Sequence, residues 1–305
     1  MLNNSDRLQP IKSLTKLMKK LILLLIIFTI NHSFSQIING IIISSEDNSP
    51  IQFAKIGFDD IERGAFSDEK GNFSVDVSNV DRNSILKIEI AGFETYSISV
   101  KNFIQMDSSK IELNPKITDI QEVSILNKKY IEKNLGFTSK SKKIHLDYLP
   151  RNSPTALKKY SKEELDKPQV EIAVPIQTKS KSKILKININ FAKFNISTPI
   201  PARFIIYSEL NGKPDKIINS EDIIFFVSNE NIKDNVLSLN ISDKNIWFKD
   251  KIFVSFQPLD RNFSGNFWLS AGLLGNTFIR SYVENWKKLP GGIVPAINID
   301  VKSEK

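Results

Sequence analysis

The chain has 305 residues, 41% of them hydrophobic and 25% charged, with 42 Lys+Arg against 34 Asp+Glu, two His and no Cys. The lack of Cys excludes disulfides, Cys-ligated zinc, iron–sulfur clusters, thiol nucleophiles and a lipid anchor on Cys, so a lipoprotein is not expected. Of the two His, His32 lies in a segment expected to be removed; His145 alone cannot build a zinc site with two or three His, and a Ser-His-Asp triad would have to use it.

The N-terminus carries a targeting pattern. Lys19 and Lys20 precede an apolar run of ten, Leu21 to Ile30, and Ser33 and Ser35 put small residues at −3 and −1 before Gln36. This three-part arrangement is that of a secretory signal peptide. A transmembrane helix needs about 20 apolar residues, so the run is too short to span a bilayer. Residues 1–35 are therefore expected to be removed, with export to the periplasm, the outer membrane or the cell surface; Met18 offers an alternative start that puts the two lysines at the front. Residues 1–35 carry a net charge of +4, half of the chain's +8, so the basic pI of about 9.3 is weak evidence for nucleic acid and none is expected as a partner.

From residue 37 to about 113, short β-type runs separated by turn signals follow one another: Ile37–Ile43, Ile51–Phe58, Ile61–Ser67, Gly71–Val77, Ile85–Ala91, Glu94–Val100 and Lys110–Leu113. Phe73, Val75 and Val77 alternate with Ser74 and Asp76, and Leu86, Ile88 and Ile90 with Lys87 and Glu89, as half-buried strands require. Seven such runs predict a small β-sandwich over residues 36–113. Asp68 and Gly71 predict a tight turn. The acids Asp59, Asp60, Glu62, Asp68 and Glu69 do not meet the spacing of a calcium loop and read as solvated turn residues.

Three motifs in this region carry a resemblance. Ser49-Pro50-Ile51-Gln52-Phe53-Ala54-Lys55-Ile56, then Ser67-Asp68-Glu69-Lys70-Gly71-Asn72-Phe73, then Gly92-Phe93-Glu94 are similar to the motifs of the carboxypeptidase regulatory-like domain. The resemblance implies a transthyretin-like, seven-stranded β-sandwich and, since such domains are appended to many envelope proteins, says little about function. No paired His and no His-x-x-Glu accompanies it, so peptidase activity is not expected. Ile120 to Ile125 resembles a degraded form of the segment that follows such domains in outer-membrane receptors, but the 180 residues beyond it are too few for a plug and a barrel of about 22 strands.

Residues 114–168 hold 12 Lys/Arg and 7 Asp/Glu, with Pro150, Pro154 and Pro168 as breakers. They read as a basic linker with one possible short helix over Ala156–Leu165, and the lysines allow at most peripheral contact with anionic lipid or polysaccharide. His145 has no partnered nucleophile in the sequence around it.

Residues 169–305 again alternate as strands: Val170–Gln177, Ile184–Ile196, Ala202–Glu209, Ile223–Ser228, Val236–Ile241, Trp247–Gln257, Asn266–Leu273, Thr277–Asn285 and Ala296–Lys302. That number of strands predicts a jelly-roll-like β-sandwich able to fold alone. Trp247, Phe267, Trp268, Tyr282 and Trp286 fall near Asp260, Arg261, Asn266, Asn276 and Arg280. Aromatic faces with neighbouring polar groups can stack sugar rings, so Trp268, Arg280 and Trp286 form a speculative glycan patch, set against the ordinary reading of aromatics as core. Glu209, Glu221, Asp222, Asp260 and Glu284 supply carboxylates, but nothing in their spacing makes a glycosidase pair.

The expected whole is all-β, with no cofactor and no metal. Its expected role is that of an exported, non-enzymatic cell-envelope protein that binds or scaffolds, with an envelope protein or polysaccharide as partner. The alternatives are a carbohydrate-binding module protein and an accessory subunit of an envelope enzyme or transporter.

Overall fold

A computed structural model describes residues 18–20, 36–106, 110–116 and 129–305. The expected signal segment, apart from Met18–Lys20, and the Ile120–Ile125 segment lie outside the described residues.

The first seven strands are β1 (Ile37–Ser44), β2 (Lys55–Phe58), β3 (Gly64–Phe66), β4 (Asn72–Asp76), β5 (Ile85–Glu89), β6 (Tyr96–Ser99) and β7 (Lys110–Leu113). They form two sheets, ordered β4-β1-β7 and β3-β2-β5-β6, which enclose Ile42, Ile56, Phe73, Val75, Leu86, Ile88 and Ile111. The alternation read in β4 and β5 is the one that fills this core. Asp68 accepts from the amides of Lys70 and Asn72, and Gly71 takes φ 77°, which closes the expected turn.

Two boundaries differ from the sequence pattern. The run expected from Ile51 becomes a strand only at Lys55, because Phe53 has φ 56° and breaks the extended chain. The run ending at Val100 stops at Ser99, whose hydroxyl accepts from the Asn102 amide at 3.2 Å and caps a short helix, Val100–Ile104.

The remaining strands are β8 (Tyr130–Gly136), β9 (His145–Tyr148), β10 (Glu171–Ile196), β11 (Ile200–Leu210), β12 (Lys213–Ile217), β13 (Ile223–Val227), β14 (Ile232–Lys233), β15 (Val236–Asn240), β16 (Trp247–Pro258), β17 (Gly265–Gly272), β18 (Phe278–Arg280), β19 (Lys287–Lys288), β20 (Val294–Pro295) and β21 (Ile297–Glu304). All fourteen are hydrogen-bonded into one sheet that curls around β10. The jelly-roll expectation reaches only as far as this curled sheet around an apolar interior.

Strand β10 is 26 residues long and shifts register three times, between Thr178 and Ser182, Ile184 and Lys186, and Phe191 and Lys193. Such irregularities bend a strand and let it serve several neighbours. Its start pairs with β16 and β18, its middle with β15 and β21, and its end with β17. The sequence pattern breaks it in two at Lys179–Lys183. Ser182 joins the halves, buried and hydrogen-bonded to the Ser303 hydroxyl at 2.7 Å. The interior holds Ile172, Val174, Ile187, Phe204, Val254, Phe256, Phe267 and Ile299.

Within the basic linker expected over residues 114–168, the described part carries two strands of the second sheet. β8 pairs antiparallel with β21 from Tyr130↔Glu304 to Gly136↔Asn298, and β9 pairs with β17. These strands are short and rich in charge on their solvent side, so their apolar members, Leu135, Leu146 and Tyr148, do not stand out in the sequence. The single helix expected at Ala156–Leu165 is two, Pro154–Lys159 capped by Ser153 and Lys162–Asp166 closed by a capping box of Ser161 and Glu164.

Candidate functional site at the contact between the two sheets

The two halves are not independent. In β2 and β5 the residues facing away from the first core are Lys55, Gly57, Lys87 and Glu89, and Lys55 lies opposite Glu89. In the second half, β16 is buried on both parities from Ile252 to Phe256 and apolar there apart from Ser255, and so is β11 from Ala202 to Tyr207 apart from Arg203. Strands of this kind are covered on both faces. The outer face carries a polar row: Arg203 is registered with Gln257, and Glu171 with Arg280. The first sandwich lies over that row.

Glu171 is the hub, with no exposed surface. Its carboxylate accepts from Lys55 Nζ, from Arg280 Nε at 3.0 Å, from the Tyr207 hydroxyl at 2.8 Å and from the Ser255 hydroxyl at 2.6 Å. Arg280 also donates to the Tyr207 oxygen at 2.7 Å and to Glu89 at 3.3 Å, and its guanidinium stacks over Trp286 at 4.4 Å. Arg203 donates to Asp222 at 3.3 Å and to the Phe53 carbonyl at 2.7 Å, with its guanidinium over Phe66. The left-handed Phe53, a strained conformation for that residue, thus presents its carbonyl to the other half.

Lys55, Arg203 and Arg280 are matched by Glu89, Glu171 and Asp222. Burial alone would raise the Glu171 pKa, but the charges of Lys55 and Arg280 overrule it and hold the carboxyl far below its ordinary range. Lys55 sees burial and two guanidiniums against one strong anion, and its pKa falls to about 8. Burial raises the Asp222 pKa against the pull of Arg203. With four donors filling both oxygens, Glu171 has no lone pair left for a substrate proton, and its depressed pKa makes it a poor general acid or base at neutral pH. The arrangement is a latch. A one-residue slip of β2 over the second sheet would bury Lys55 and Glu171 without partners, so the charges set the register of the contact.

A second contact adjoins it. The strand expected over Thr277–Asn285 stops at Arg280, and residues 281–286 turn onto the first sandwich. The Asn285 amide donates to the Asp59 carbonyl at 2.7 Å, the Asn285 side chain to Asp60 at 2.9 Å, and the Ser281 hydroxyl to Glu62 at 3.2 Å. Tyr282 rests on Gly64, where an added Cβ would lie 2.8 Å from the ring and 2.1 Å from the Ile56 carbonyl oxygen. Gly64→Ala is therefore expected to lose about 1–3 kcal/mol, read as a lower urea midpoint with faster proteolysis at residues 281–286. An unchanged midpoint would show that this close approach is not needed.

The sequence-predicted site residues are only partly brought together. Arg280 and Trp286 are stacked inside the contact, and Trp286 meets Tyr207 edge-on at 5.3 Å. Trp268 is elsewhere. It lies opposite Lys193 near the end of β10, whereas Arg280 lies opposite Glu171 at its start. The flanking strands sandwich its ring: His145 stacks at 4.8 Å and Lys193 lies over it at 5.0 Å. The three residues therefore form no common glycan patch. The calcium candidates Asp59, Asp60 and Glu62 serve the interdomain contact, Asp68 and Glu69 belong to the β3–β4 turn, and among the described residues no group of three His, Cys, Asp or Glu could hold a metal ion. Glu209 accepts from the Gly212 amide, Glu221 pairs with Lys244, Asp222 with Arg203, Asp260 accepts from the Asn262 amide and Glu284 from the amides of Ser281 and Tyr282. Lys55, Glu171, Arg203, Tyr207 and Ser255 escaped the sequence reading. The signal of the three charged ones was a lone charge inside an apolar run, as in Ala54-Lys55-Ile56, Val170-Glu171-Ile172 and Ala202-Arg203-Phe204.

Among the open clefts that run along the seam are two of about 620 and 350 Å³. The larger gathers Glu46, Asp47, Glu221 and Asp222, the last two already paired with cations. A search of curated proteins found no match to the chain. The strand order and the turn at Asp68–Asn72 agree with the comparison to family models: residues 38–125 match the CarboxypepD_reg-like domain.

Proposed function

We propose that this is an exported, non-enzymatic protein of the cell envelope that binds or scaffolds, with its two β bodies fixed against each other as one platform. The observation that carries the reading is the latch around Glu171, whose buried carboxylate is filled by Lys55 from the first half and by Arg280, Tyr207 and Ser255 from the second, and so joins the halves. The appended-module character of the matched domain supports the same reading, as does the N-terminal targeting pattern. A glycan-binding role is less well supported, because Trp268 has both ring faces engaged and Arg280 is buried.

Fractionation of expressing cells, with N-terminal sequencing of the protein recovered, tests the proposal. The protein is expected in the periplasmic, outer-membrane or surface fraction, beginning at Gln36. Recovery from the cytoplasm with residues 1–35 attached would overturn it.

A further inference from the structure

The connection from β17 to β18, Gly272-Leu273-Leu274-Gly275-Asn276, presents two leucines to solvent. Leu274 is 99% exposed and Leu273 55%. Leu274 also has φ 68°, a conformation that L side chains rarely adopt. The tip is braced. The Gly275 amide donates to the Gly292 carbonyl at 2.8 Å, and the places where Gly272 and Gly275 would carry a Cβ are filled by the Phe137 ring and by Val294, each 2.3 Å away. Large aliphatic side chains held outward by a built support are not the accident of a loose loop.

The segments that brace the tip carry lysines, and acids that adjoin them are engaged: Asp147 with His145, Glu284 with the amides of Ser281 and Tyr282, and Glu62 with Lys287. These segments are tied in by the Ala271 amide bonded to the Ile144 carbonyl, by Ser139 bonded to the Ala271 carbonyl and by the pairing of Phe278 with Lys288. Residues 137–146, 270–279 and 285–299 contain Lys140, Lys142, Lys143, Lys287 and Lys288 and no Asp or Glu. All five lysines are exposed, and among the described residues only Lys287 of the five faces a carboxylate, Glu62 at 3.5 Å. An exposed apolar tip with lysines on the segments that brace it suits an anionic lipid bilayer, which offers phosphates to the lysines and an apolar layer to the leucines.

We propose that the Leu273–Leu274 tip docks this protein on an anionic lipid bilayer. The inference deepens the envelope reading, which puts a membrane within reach. Its test uses purified protein, so the two fail separately.

The chain has no Cys, so Leu274→Cys creates a single thiol for a polarity-sensitive fluorophore at a fully exposed position. Glu230→Cys, in the turn between β13 and β14, gives the control, and both labels read their own surroundings whatever residues 21–30 do. With vesicles of phosphatidylcholine containing phosphatidylglycerol, the label at 274 is expected to shift to the blue and the label at 230 to stay unchanged. Pure phosphatidylcholine should give no shift, and added salt should reverse it. Lys142→Gln and Lys143→Gln should each weaken the apparent affinity of the tip-labelled protein about fivefold. No shift at 274 on the anionic vesicles, an equal shift at 230, or an equal response to neutral vesicles would overturn the proposal.

Discussion

Glu171→Gln is expected to destabilise the folded chain by about 3–5 kcal/mol, the cost of leaving buried charges without their counter-charge. The substitution keeps the shape of the side chain and removes one unit of charge. Its carbonyl oxygen can still accept from Tyr207 and Ser255. Its amide, however, turns two donor hydrogens toward Lys55 and Arg280, which are themselves donors. Arg280 retains Glu89, but Lys55 has no other carboxylate in contact among the described residues. The loss should appear at the contact first, because neither apolar core contains Glu171. Urea unfolding followed by tryptophan fluorescence and by far-UV circular dichroism should therefore separate into two steps in the variant, whether or not the native chain unfolds in one. Lys55→Met is the useful comparison: it leaves Glu171 with Arg280, Tyr207 and Ser255, and its effect at neutral pH should be small or stabilising. A Glu171→Gln loss below about 1 kcal/mol, or one equal to that of Lys55→Met, would sink the account of Glu171 as the hub.

The parts of this architecture that were legible are those where a local period decides the outcome. Phe73 and Val75 announce an inward face through alternation alone, and Asp68 with Gly71 announces its turn through backbone chemistry. The contact between the halves obeys another rule. There the sign lies in strands that stop alternating, such as Ile252 to Phe256, and this shows that a second face is covered without showing by what. Glu171 and Lys55 are 116 residues apart, and only the fold brings them together. The aromatic and polar residues after Trp247 were visible as chemistry but not as a place. Trp268 and Arg280 are close in sequence yet pair with opposite ends of β10, because β17 and β18 meet different portions of that bent strand. β8 and β9 were hidden by their shortness, since a short strand covered on one side only carries few apolar residues to betray it.

Between about pH 8 and pH 10.5 Lys55 should make the folded chain more stable, the reverse of the alkaline weakening that buried tyrosines produce. Burial comes first among the causes, with Arg280 and Arg203 adding to it and Glu171 opposing it, and the folded amine loses its proton near pH 8. The unfolded amine keeps its proton to the ordinary value of 10.5. Across that window the unfolded state binds the extra proton, so the free energy of unfolding rises with pH. Below the window both states are protonated and the cost of a buried ammonium is present in full; above it both are neutral and the cost is gone. The gain is on the order of 3 kcal/mol. Tyr148 and Tyr207 work against it, since burial raises both well above their usual value and the unfolded state loses those protons first. Comparing the native chain with Lys55→Met at each pH removes most of this background. The native chain should gain on the variant steadily through the window and level off above it. A difference that stays flat would mean that Lys55 keeps its proton in the fold, and that its attraction to Glu171 outweighs burial beside two guanidiniums.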